Sequence, residues 1–414
     1  MRKPENIEWL YLDFDGFFAS VMQQVYPKLR GKPVGVVPFA GTDRTVVIAC
    51  SKEAKARGCK NIMAVRDAKQ ICPSILLVPQ EPDLYRRAHN ALLAEINTVI
   101  PISAIKSIDE LTCWLDKRQS ENPHELARVI KDRLAKYVGP HITCSIGFAA
   151  NRQLAKIACK MDKPNGVTIW TPDMVPEVLF GLPFDDIPGI GDRMARRLHM
   201  AGIHDMEKLM KMPAKHMRKI WRSVNGERLW YALHGYEFQA QETERGMFGH
   251  GRVLPPEERD LPSAKNIARL LLRKAARRLR RAEYYASSLI LWLAIDGGSA
   301  GRHIRLPYVN DDKAILDALD LAWTEATARL GRVKVYRVHV TLLDITLASK
   351  RQLDLFVSDD KDRKRWEAVT GASDHLNMKY GKTIVSMGEW KPPKGGHVGA
   401  KISFTRIPSA EDFL

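Results

Sequence analysis

Apolar residues follow strand-like and helix-like spacings in turn over the first 170 residues of the chain. Short apolar runs between turn residues are typical of strands, and apolar positions repeated every three or four residues are typical of helices. The pattern predicts strands at residues 9–13, 33–37, 45–50, 111–115 and 142–147, and helices at 17–25, 51–57, 84–100 and 123–137. Such alternation favours an α/β or α+β sheet layer covered by helices.

The pattern changes character three times after residue 171. Residues 172–236 read as short helices separated by Pro and Gly, which predicts a small helical domain. The polar stretch 237–251 lacks a sustained apolar period and is predicted to be a linker. A second α/β unit is predicted over 252–350, with a helix at 264–282 and strands at 288–294 and 335–346. The polar tail, 351–414, is expected to be poorly ordered over much of its length.

Composition narrows the classes of protein. A chain of 414 residues with 45% hydrophobic composition can bury the cores of two to four domains. Its net charge of +17 is typical of a protein that lies along a polyanion, although charge alone does not distinguish nucleic acid from a membrane surface. The six cysteines occur singly, so we expect a reduced cytoplasmic protein without structural zinc. Neither a signal peptide nor a membrane span is predicted.

Two acidic clusters stand at the ends of predicted strands. Asp13 and Asp15 close the first strand, and Asp109 and Glu110 directly precede the strand at 111–115. If both strands belong to one sheet, the carboxylates can converge and hold a pair of Mg²⁺ ions about 3.5–4 Å apart. A two-metal site of this kind supports in-line attack on a nucleoside triphosphate. On these dipeptides alone, solvated strand ends remain the alternative.

Five short motifs in fixed order resemble those of the Y-family (translesion) DNA polymerases, of the bacterial polymerase IV or polymerase V type. They are DFDGFFASV from Asp13, GKPV from Gly31, SIDE from Ser107, AKIA from Ala155 and KPNG from Lys163. Each is weak alone, but the ordered set is specific, and the resemblance covers roughly residues 7–356. It implies a low-fidelity, template-directed DNA polymerase for lesion bypass, which adds dNTPs to a primer 3′-hydroxyl.

The resemblance implies an α+β right-hand fold. Its parts would be a ferredoxin-like palm (1–16 and 81–171), small fingers (17–80), a helical thumb with a helix-hairpin-helix (172–236), a linker (237–251), an α/β little finger (252–350) and a tail (351–414). By motif position, Asp13, Asp109 and Glu110 would be the catalytic ligands of two Mg²⁺ ions. The backbone carbonyl of Phe14 would complete the metal shell.

Nucleotide binding is implied at four further positions. Phe18 stands at the family's steric gate, where a ring under the sugar excludes a 2′-hydroxyl. Lys163 matches the palm lysine that binds the triphosphate. Lys52 and Lys55 stand where the family usually has Tyr and Arg on the fingers. A lysine supplies a point charge to phosphate but not the bidentate fork of arginine.

Two elements are candidates for holding primer–template DNA. The sequence from Ile187 to Gly191 matches a helix-hairpin-helix, in which Gly189 and Gly191 would let backbone N–H groups approach a phosphate. A tight turn without a ligand is the alternative. The run from Arg273 to Arg281 places six cations on nine helical positions, which favours phosphate neutralisation over a solvated face. The residues predicted to bind DNA there are Arg273, Lys274, Arg277 and Arg278.

The pentapeptide Gln352-Leu353-Asp354-Leu355-Phe356 resembles the bacterial sliding-clamp-binding motif. Gln352 would make polar contacts, and Leu353, Leu355 and Phe356 the apolar ones. The expected partners are therefore primer–template DNA, dNTP and the sliding clamp, with no membrane, for a protein that acts as a monomer. Two alternatives stay open: a catalytically weak or silent clamp-bound accessory protein of a mutagenesis complex, which Lys52 and Lys55 allow, and a nucleotidyl cyclase.

Overall fold

The computed structural model describes residues 1–38, 41–238, 244–351, 360–388 and 407. The described residues form two compact units, one within residues 1–241 and one within residues 242–401. In the described part of the chain, no helix is both long and apolar enough to span a membrane.

The first unit contains a five-stranded sheet, two small sheets and helices. Its strands are β1 (Trp9–Phe14), β2 (Val34–Val37), β3 (Val46–Val47), β4 (Ala49–Cys50), β5 (Met63–Ala64), β6 (Leu76–Pro79), β7 (Ala104–Ile105), β8 (Glu110–Trp114), β9 (Cys144–Ala149) and β10 (Val167–Ile169). Its helices are α1 (Phe17–Val25), α2 (Lys52–Ala56), α3 (Val65–Ile71), α4 (Pro82–Asn97), α5 (Lys117–Glu121), α6 (Pro123–Tyr137), α7 (Arg152–Met161), α8 (Asp192–Met200), α9 (Met206–Lys211), α10 (Ala214–Trp221) and α11 (Val224–Leu233).

The large sheet has the strand order β10-β9-β1-β8-β7, with β1 antiparallel to both of its neighbours. Successive side chains on a strand point to opposite faces, so Leu10, Leu12 and Phe14 all enter the core that α4 and α6 cover. The intervening positions, Tyr11 and Asp13, therefore lie on the other face. That face meets α7, because Tyr11 belongs to the cluster that α7 and the helices α8–α11 build.

Residues 34–79 form a separate small layer, with the sheets β4-β2-β6 and β3-β5 beside α2 and α3. Its core includes Cys50, Cys59 and Cys72, all buried and unpaired. These cysteines serve as small apolar residues, since nothing in the spacing or packing pairs them.

The second unit contains a four-stranded sheet of order β11-β14-β12-β13. Its elements are β11 (Met247–Val253), α12 (Leu261–Arg281), β12 (Tyr284–Ile295), β13 (Gly298–Val309), α13 (Asp312–Thr327), β14 (Val335–Leu347) and α14 (Asp360–Lys379). Leucines of α12 and β12 and the aliphatic face of α13 make one core, so α12 and α13 cover one face of this sheet. α14 packs against α13.

Three sequence predictions need correction here. The linker does not extend to residue 251, because β11 begins at Met247 and pairs along its length with β14. The tail, predicted to be poorly ordered over much of its length, includes a helix that was not predicted, α14 at residues 360–379. The single strand predicted at 45–50 is two short strands that pair with different partners, β3 with β5 and β4 with β2.

Candidate active site and nucleic-acid interface

Strand pairing brings the predicted metal ligands to one end of the large sheet. Asp13 on β1 lies directly opposite Glu110 on β8. The backbone N–H of Phe14 donates to the carbonyl of Asp109 at 2.8 Å, which continues the ladder by one step. Asp13 is thereby brought close to Asp109 and Glu110, which lie almost a hundred residues later in the sequence.

Burial and mutual repulsion disfavour ionisation of two of these acids. Burial is the main cause of the raised pKa of Asp13, about 6, and the Asp109 and Glu110 charges contribute, while Lys163 opposes the rise. Burial likewise raises the pKa of Asp109, with a further contribution from Glu110, although the Ser107 hydroxyl donates to the Asp109 carboxylate. The charges of these acids are therefore close enough to interact, and a cation between them would be stabilised.

Each end of this acidic cluster contacts a lysine. Lys163 forms an ion pair with Asp13. Lys156 Nζ lies 2.9 Å from both carboxylate oxygens of Glu110 and 2.9 Å from the Tyr11 hydroxyl. The Tyr11 hydroxyl in turn donates to Glu110 Oε2 at 2.9 Å. This Tyr11–Lys156–Glu110 triad is not predicted from the sequence, where the AKIA motif that carries Lys156 is its signal.

Asp15 has hydrogen-bond partners of its own. Its carboxylate accepts hydrogen bonds from the Ser145 hydroxyl at 2.8 Å, the Thr143 hydroxyl at 3.0 Å and the backbone N–H of Asn165 at 2.8 Å. Asn165 belongs to the loop that carries Lys163. Asp15 therefore fixes the position of a candidate triphosphate-binding lysine.

The donor set fits a divalent cation, because Mg²⁺ prefers carboxylate and carbonyl oxygens. Within the described residues, however, no three or more His, Cys, Asp and Glu side chains are arranged to hold a metal ion. Asp13 and Glu110 instead form ion pairs with Lys163 and Lys156. A metal ion bound here would take the place of these lysine contacts.

The predicted steric gate lies at the start of α1. The ring of Phe18 stacks on Tyr85 of α4, with centroids 4.4 Å apart and planes inclined by 17°. Tyr85 is fully buried, whereas Phe18 is only partly buried. Phe18 thus presents one ring face to the core and leaves its remaining surface toward the outside.

The predicted finger lysines lie on α2, and both are exposed. Gly16 immediately precedes α1 with φ +53°, and a Cβ built there would lie 2.8 Å from the Cys50 carbonyl and 3.9 Å from Lys55 Nζ. A side chain at position 16 would therefore collide with backbone, and Lys55 extends to the first turn of α1 over this glycine. Lys52 has no comparable contact with the palm end of the sheet among those observed.

The helix-hairpin-helix sequence forms a turn followed by α8. Gly189 has φ +106°, which favours glycine, and Gly191 is the N-cap of α8 without a side-chain cap. Both glycines are exposed, as are Arg193, Arg196 and Arg197 on α8. Open N–H groups at a helix start, with cations one turn away, suit a phosphate.

The basic run on α12 differs from its prediction as a DNA-binding surface. Arg273 and Arg280 form ion pairs with Asp312 of α13, and Arg277 and Arg280 form ion pairs with Asp374 of α14. The three arginine side chains are only 12% exposed. All three share two carboxylates, Asp312 and Asp374, and through these ion pairs they join three helices.

The other two predicted DNA-binding residues of that run are also turned inward. Lys274 is buried, and Arg278 donates to the carbonyl of Gly249 at 2.6 Å and to that of Lys274 at 3.3 Å. The run is therefore part of the core of the second unit. Sequence spacing alone could not reveal this, because the partner aspartates lie on two later helices.

The opposite face of the sheet in the second unit carries exposed polar side chains, one of them an arginine. His303 lies opposite Ile290, and Arg305 lies opposite Ser288, so all four belong to the face away from α12 and α13. Trp292 of the same face is 38% exposed. Cationic side chains beside exposed aromatic surface are typical of nucleic-acid contact.

The predicted clamp-binding residues, Gln352, Leu353, Leu355 and Phe356, lie outside the described residues. Their flanks are described: β14 ends at Leu347 and α14 begins at Asp360.

Three family models match the chain. The model described as the impB/mucB/samB family matches residues 12–160, that of its C-terminal domain matches 245–355, and that of the IMS family HHH motif matches 172–203. Among curated proteins, DNA polymerase IV 1 of Bacillus subtilis (strain 168) is 30% identical over 394 residues, which cover 91% of this chain and 92% of that protein. DNA polymerase IV of Moorella thermoacetica is 31% identical over 399 residues, covering 91% and 94%.

Two solved structures extend the comparison. A Y-family DNA polymerase chimera of Dbh and Dpo4 matches with a TM-score of 0.68 and 26% identity, over 82% of this chain and 99% of that chain. An insertion ternary complex of Dbh DNA polymerase matches with a TM-score of 0.56 and 27% identity, with the same coverage.

Proposed function

This chain belongs to the impB/mucB/samB family of Y-family DNA polymerases, and on that premise we propose how its own residues carry out DNA synthesis. It has the right-hand polymerase fold. It is a DNA-directed DNA polymerase of translesion synthesis, which binds DNA and dNTP. The observation that carries the assignment of its active site is the pairing of β1 with β8, which brings Asp13, Asp109 and Glu110 together.

We assign the parts of the hand as follows. Residues 1–16 and 81–171 form the palm, 17–80 the fingers, 172–236 the thumb and 247–350 the little finger. The large sheet supports the assignment of the palm, and the small layer with the buried cysteines supports that of the fingers. The short helices α8–α11 support the thumb, and the second unit supports the little finger.

At the end of the large sheet, Asp13, Asp109, Glu110 and the carbonyl of Phe14 would hold two Mg²⁺ ions. Bound metal supplies activation of the primer hydroxyl and neutralisation of the pyrophosphate leaving group. Lys163 then turns from Asp13 to the triphosphate, and Lys55 and Lys52 add positive charge from the fingers. Asp15 keeps the Lys163 loop in place during this exchange.

Nucleotide selection depends on the Phe18 ring, which would lie under the incoming sugar. Its stacking on Tyr85 limits its retreat, so a 2′-hydroxyl has no room.

DNA is held in a sequence-independent way by two surfaces. The turn with Gly189 and Gly191 offers backbone N–H groups, and the sheet face with His303 and Arg305 offers an arginine cation and an imidazole N–H. We further infer that the protein acts as a cytoplasmic monomer tethered to the sliding clamp through Gln352–Phe356. The silent accessory protein is not favoured, because all three carboxylates are present at the paired ends of β1 and β8. The cyclase would leave the thumb turn without a role.

Primer extension on plain and lesion-bearing templates tests this function. Asp109→Asn should reduce the extension rate at least a thousandfold, because it removes a charge that stabilises the transition state. Binding to primer–template DNA should change little, since the basic surfaces are untouched. Asp132→Asn is the matched control, an exposed acid on α6 that forms an ion pair with Arg128. Extension at the parental rate by Asp109→Asn would refute the assignment.

A further inference from the structure

His89 is a buried histidine of α4 that the proposed mechanism does not use. It is 2% exposed, and its Nδ1 lies 2.7 Å from the carbonyl oxygen of Ile108. Because a carbonyl oxygen only accepts hydrogen bonds, Nδ1 carries the proton and donates it to this bond. Burial lowers the pKa of His89, so the ring is neutral at pH 7. The residue that follows Ile108 is Asp109, one of the proposed metal ligands.

The hydrogen bond from His89 completes a set that holds the backbone from residue 108 to residue 110. The carbonyl of Asp109 accepts from the backbone N–H of Phe14 at 2.8 Å. The carbonyl of Glu110 accepts from two backbone N–H groups of the preceding turn, at 2.9 and 3.2 Å. Each of three successive carbonyls therefore has a donor, and the donor to Ile108 is a side chain from another element.

The Ile108 carbonyl needs this donor because Ile108 is itself buried, at 4% exposed. A buried carbonyl left without a partner costs more free energy than its hydrogen bond contributes, so the backbone would move to find another donor. Such a movement would turn the next residue, Asp109, whose carboxylate accepts from the Ser107 hydroxyl. The orientation of this carboxylate therefore depends on His89.

The helix that carries His89 is itself fixed in the palm core. Leu92 and Ile96 of α4 are fully buried, at 0% and 1% exposed. Tyr85 lies one helical turn before His89 and stacks on the ring of Phe18. One face of α4 thus supports both the proposed steric gate and the turn with the acidic residues, and a rigid element of this kind positions side chains closely.

We propose that His89 is a positioning residue for DNA synthesis, which holds Asp109 in the orientation that binds a divalent cation together with Asp13. The proposal rests on the polymerase function above and assigns no contact between His89 and the metal or substrate. Its effect passes through one backbone carbonyl, as is common for groups that orient metal ligands. Because the ring is neutral, it adds no positive charge that would compete with the cation.

Two substitutions separate the hydrogen bond from the space that the ring fills. His89→Leu removes the donor and keeps an apolar side chain, whereas His89→Asn keeps an N–H at nearly the position of Nδ1. Binding of Mn²⁺ is measured by electron paramagnetic resonance in a complex with dideoxy-terminated primer–template and dNTP, so that no turnover occurs. His89→Leu should weaken Mn²⁺ binding about tenfold, and His89→Asn should remain within about threefold of the parent protein.

Primer extension supplies a second measurement on the same variants. The kcat of His89→Leu should fall about tenfold at low Mg²⁺ and recover in part as the Mg²⁺ concentration is raised. The KM for dNTP and the affinity for primer–template DNA should each change less than about twofold, because the surfaces that bind them are untouched. Should His89→Leu fold poorly, His89→Met removes the same donor with a more adaptable side chain.

Leu92→Val is the matched control on the same helix. It removes part of a buried side chain without touching the turn that precedes β8, so it should lower thermal stability and leave Mn²⁺ affinity at the parental value. Loss of Mn²⁺ affinity in Leu92→Val as great as that in His89→Leu would mean that any loosening of the palm produces the effect.

That result would overturn the proposal, and so would two others. Parental Mn²⁺ affinity in His89→Leu would show that Asp109 keeps its orientation without the hydrogen bond. Equal losses in His89→Leu and His89→Asn would assign the effect to the shape of the ring. Failure of the parent protein to extend any primer would instead count against the proposed function, and the Mn²⁺ measurement would still decide the role of His89.

Discussion

At the scale of single residues, chemically equal side chains have different roles because of their position in the sheet. Asp13 and Asp15 are two residues apart, and the sequence presents them as one acidic cluster. The structure directs Asp13 toward Glu110 and encloses Asp15 among Ser145, Thr143 and Asn165. Only the register of β1 between β8 and β9 separates a candidate metal ligand from an acid that supports a loop.

The position of Phe18 leads to a prediction about sugar selection. Phe18→Ala should admit ribonucleotides while retaining deoxynucleotide addition, because the ring that excludes the 2′-hydroxyl is removed but the carboxylates are not. The ratio of kcat/KM for dNTP to that for the matching ribonucleotide should fall at least a hundredfold, or about 3 kcal/mol in discrimination. Single-nucleotide insertion kinetics measure both values.

Phe17→Leu serves as the comparison. Phe17 is the neighbouring ring, but it is buried in the palm core rather than directed outward. Replacing Phe17 by Leu should lower the stability of the protein and leave unchanged the ratio of kcat/KM for dNTP to that for the matching ribonucleotide. An unaltered ratio in Phe18→Ala would mean that the gate is formed by another residue.

At the scale of elements, local sequence predicts best where one apolar face determines the structure. The predicted bounds of α1 and α6 equal the observed ones, since each begins and ends where its amphipathic pattern does. β11 was missed because Gly249 and Gly251 interrupt its apolar alternation, and pairing with β14 compensates for them. α14 was missed because its contacts are mainly polar, and its partner residues lie about a hundred positions earlier.

The ion pairs of Asp374 predict how firmly α14 is held. Asp374→Ala leaves Arg277 and Arg280 with one acid fewer in a mostly buried site, and an uncompensated charge of this kind costs about 3 kcal/mol. Amides of α14 should then exchange with solvent about a hundredfold faster, because exchange reports local opening. Hydrogen exchange followed by mass spectrometry measures this directly.

The same helix offers a control at its exposed surface. Asp362→Ala removes an acid that is exposed on α14, so exchange should change little. Equal protection in Asp374→Ala and the parent protein would show that the helix is held by its apolar contacts alone, and that the buried pairs contribute no net stability.

At the scale of the whole molecule, the basic charge is divided between binding and folding. The net charge of +17 indicates a polyanionic partner, and the exposed arginines of α8 and of β13 agree with it. Three arginines of the densest basic run in the sequence, on α12, instead form ion pairs within the second unit. The density of charge in a sequence therefore indicates the class of partner but not the surface that binds it.

The proposed clamp-binding peptide, residues 352–356, has a folded element on each side of it in the sequence. Residues 352–356 stand between β14 and α14, so the chain folds again after them, and Arg351 and Glu367 form an ion pair across the segment at 2.9 Å. Replacing Leu355 and Phe356 by Ala removes two apolar anchors worth about 2 kcal/mol each. Stimulation of primer extension by the clamp, and co-migration with it, should then disappear.

Extension without the clamp should remain at the parental level, because tethering raises the effective concentration at the primer end without adding a contact to DNA. Val357→Ala, just beyond the motif, is the matched control and should respond to the clamp normally. A double Leu355, Phe356 variant that still responds fully to the clamp would place the contact on another surface of the protein.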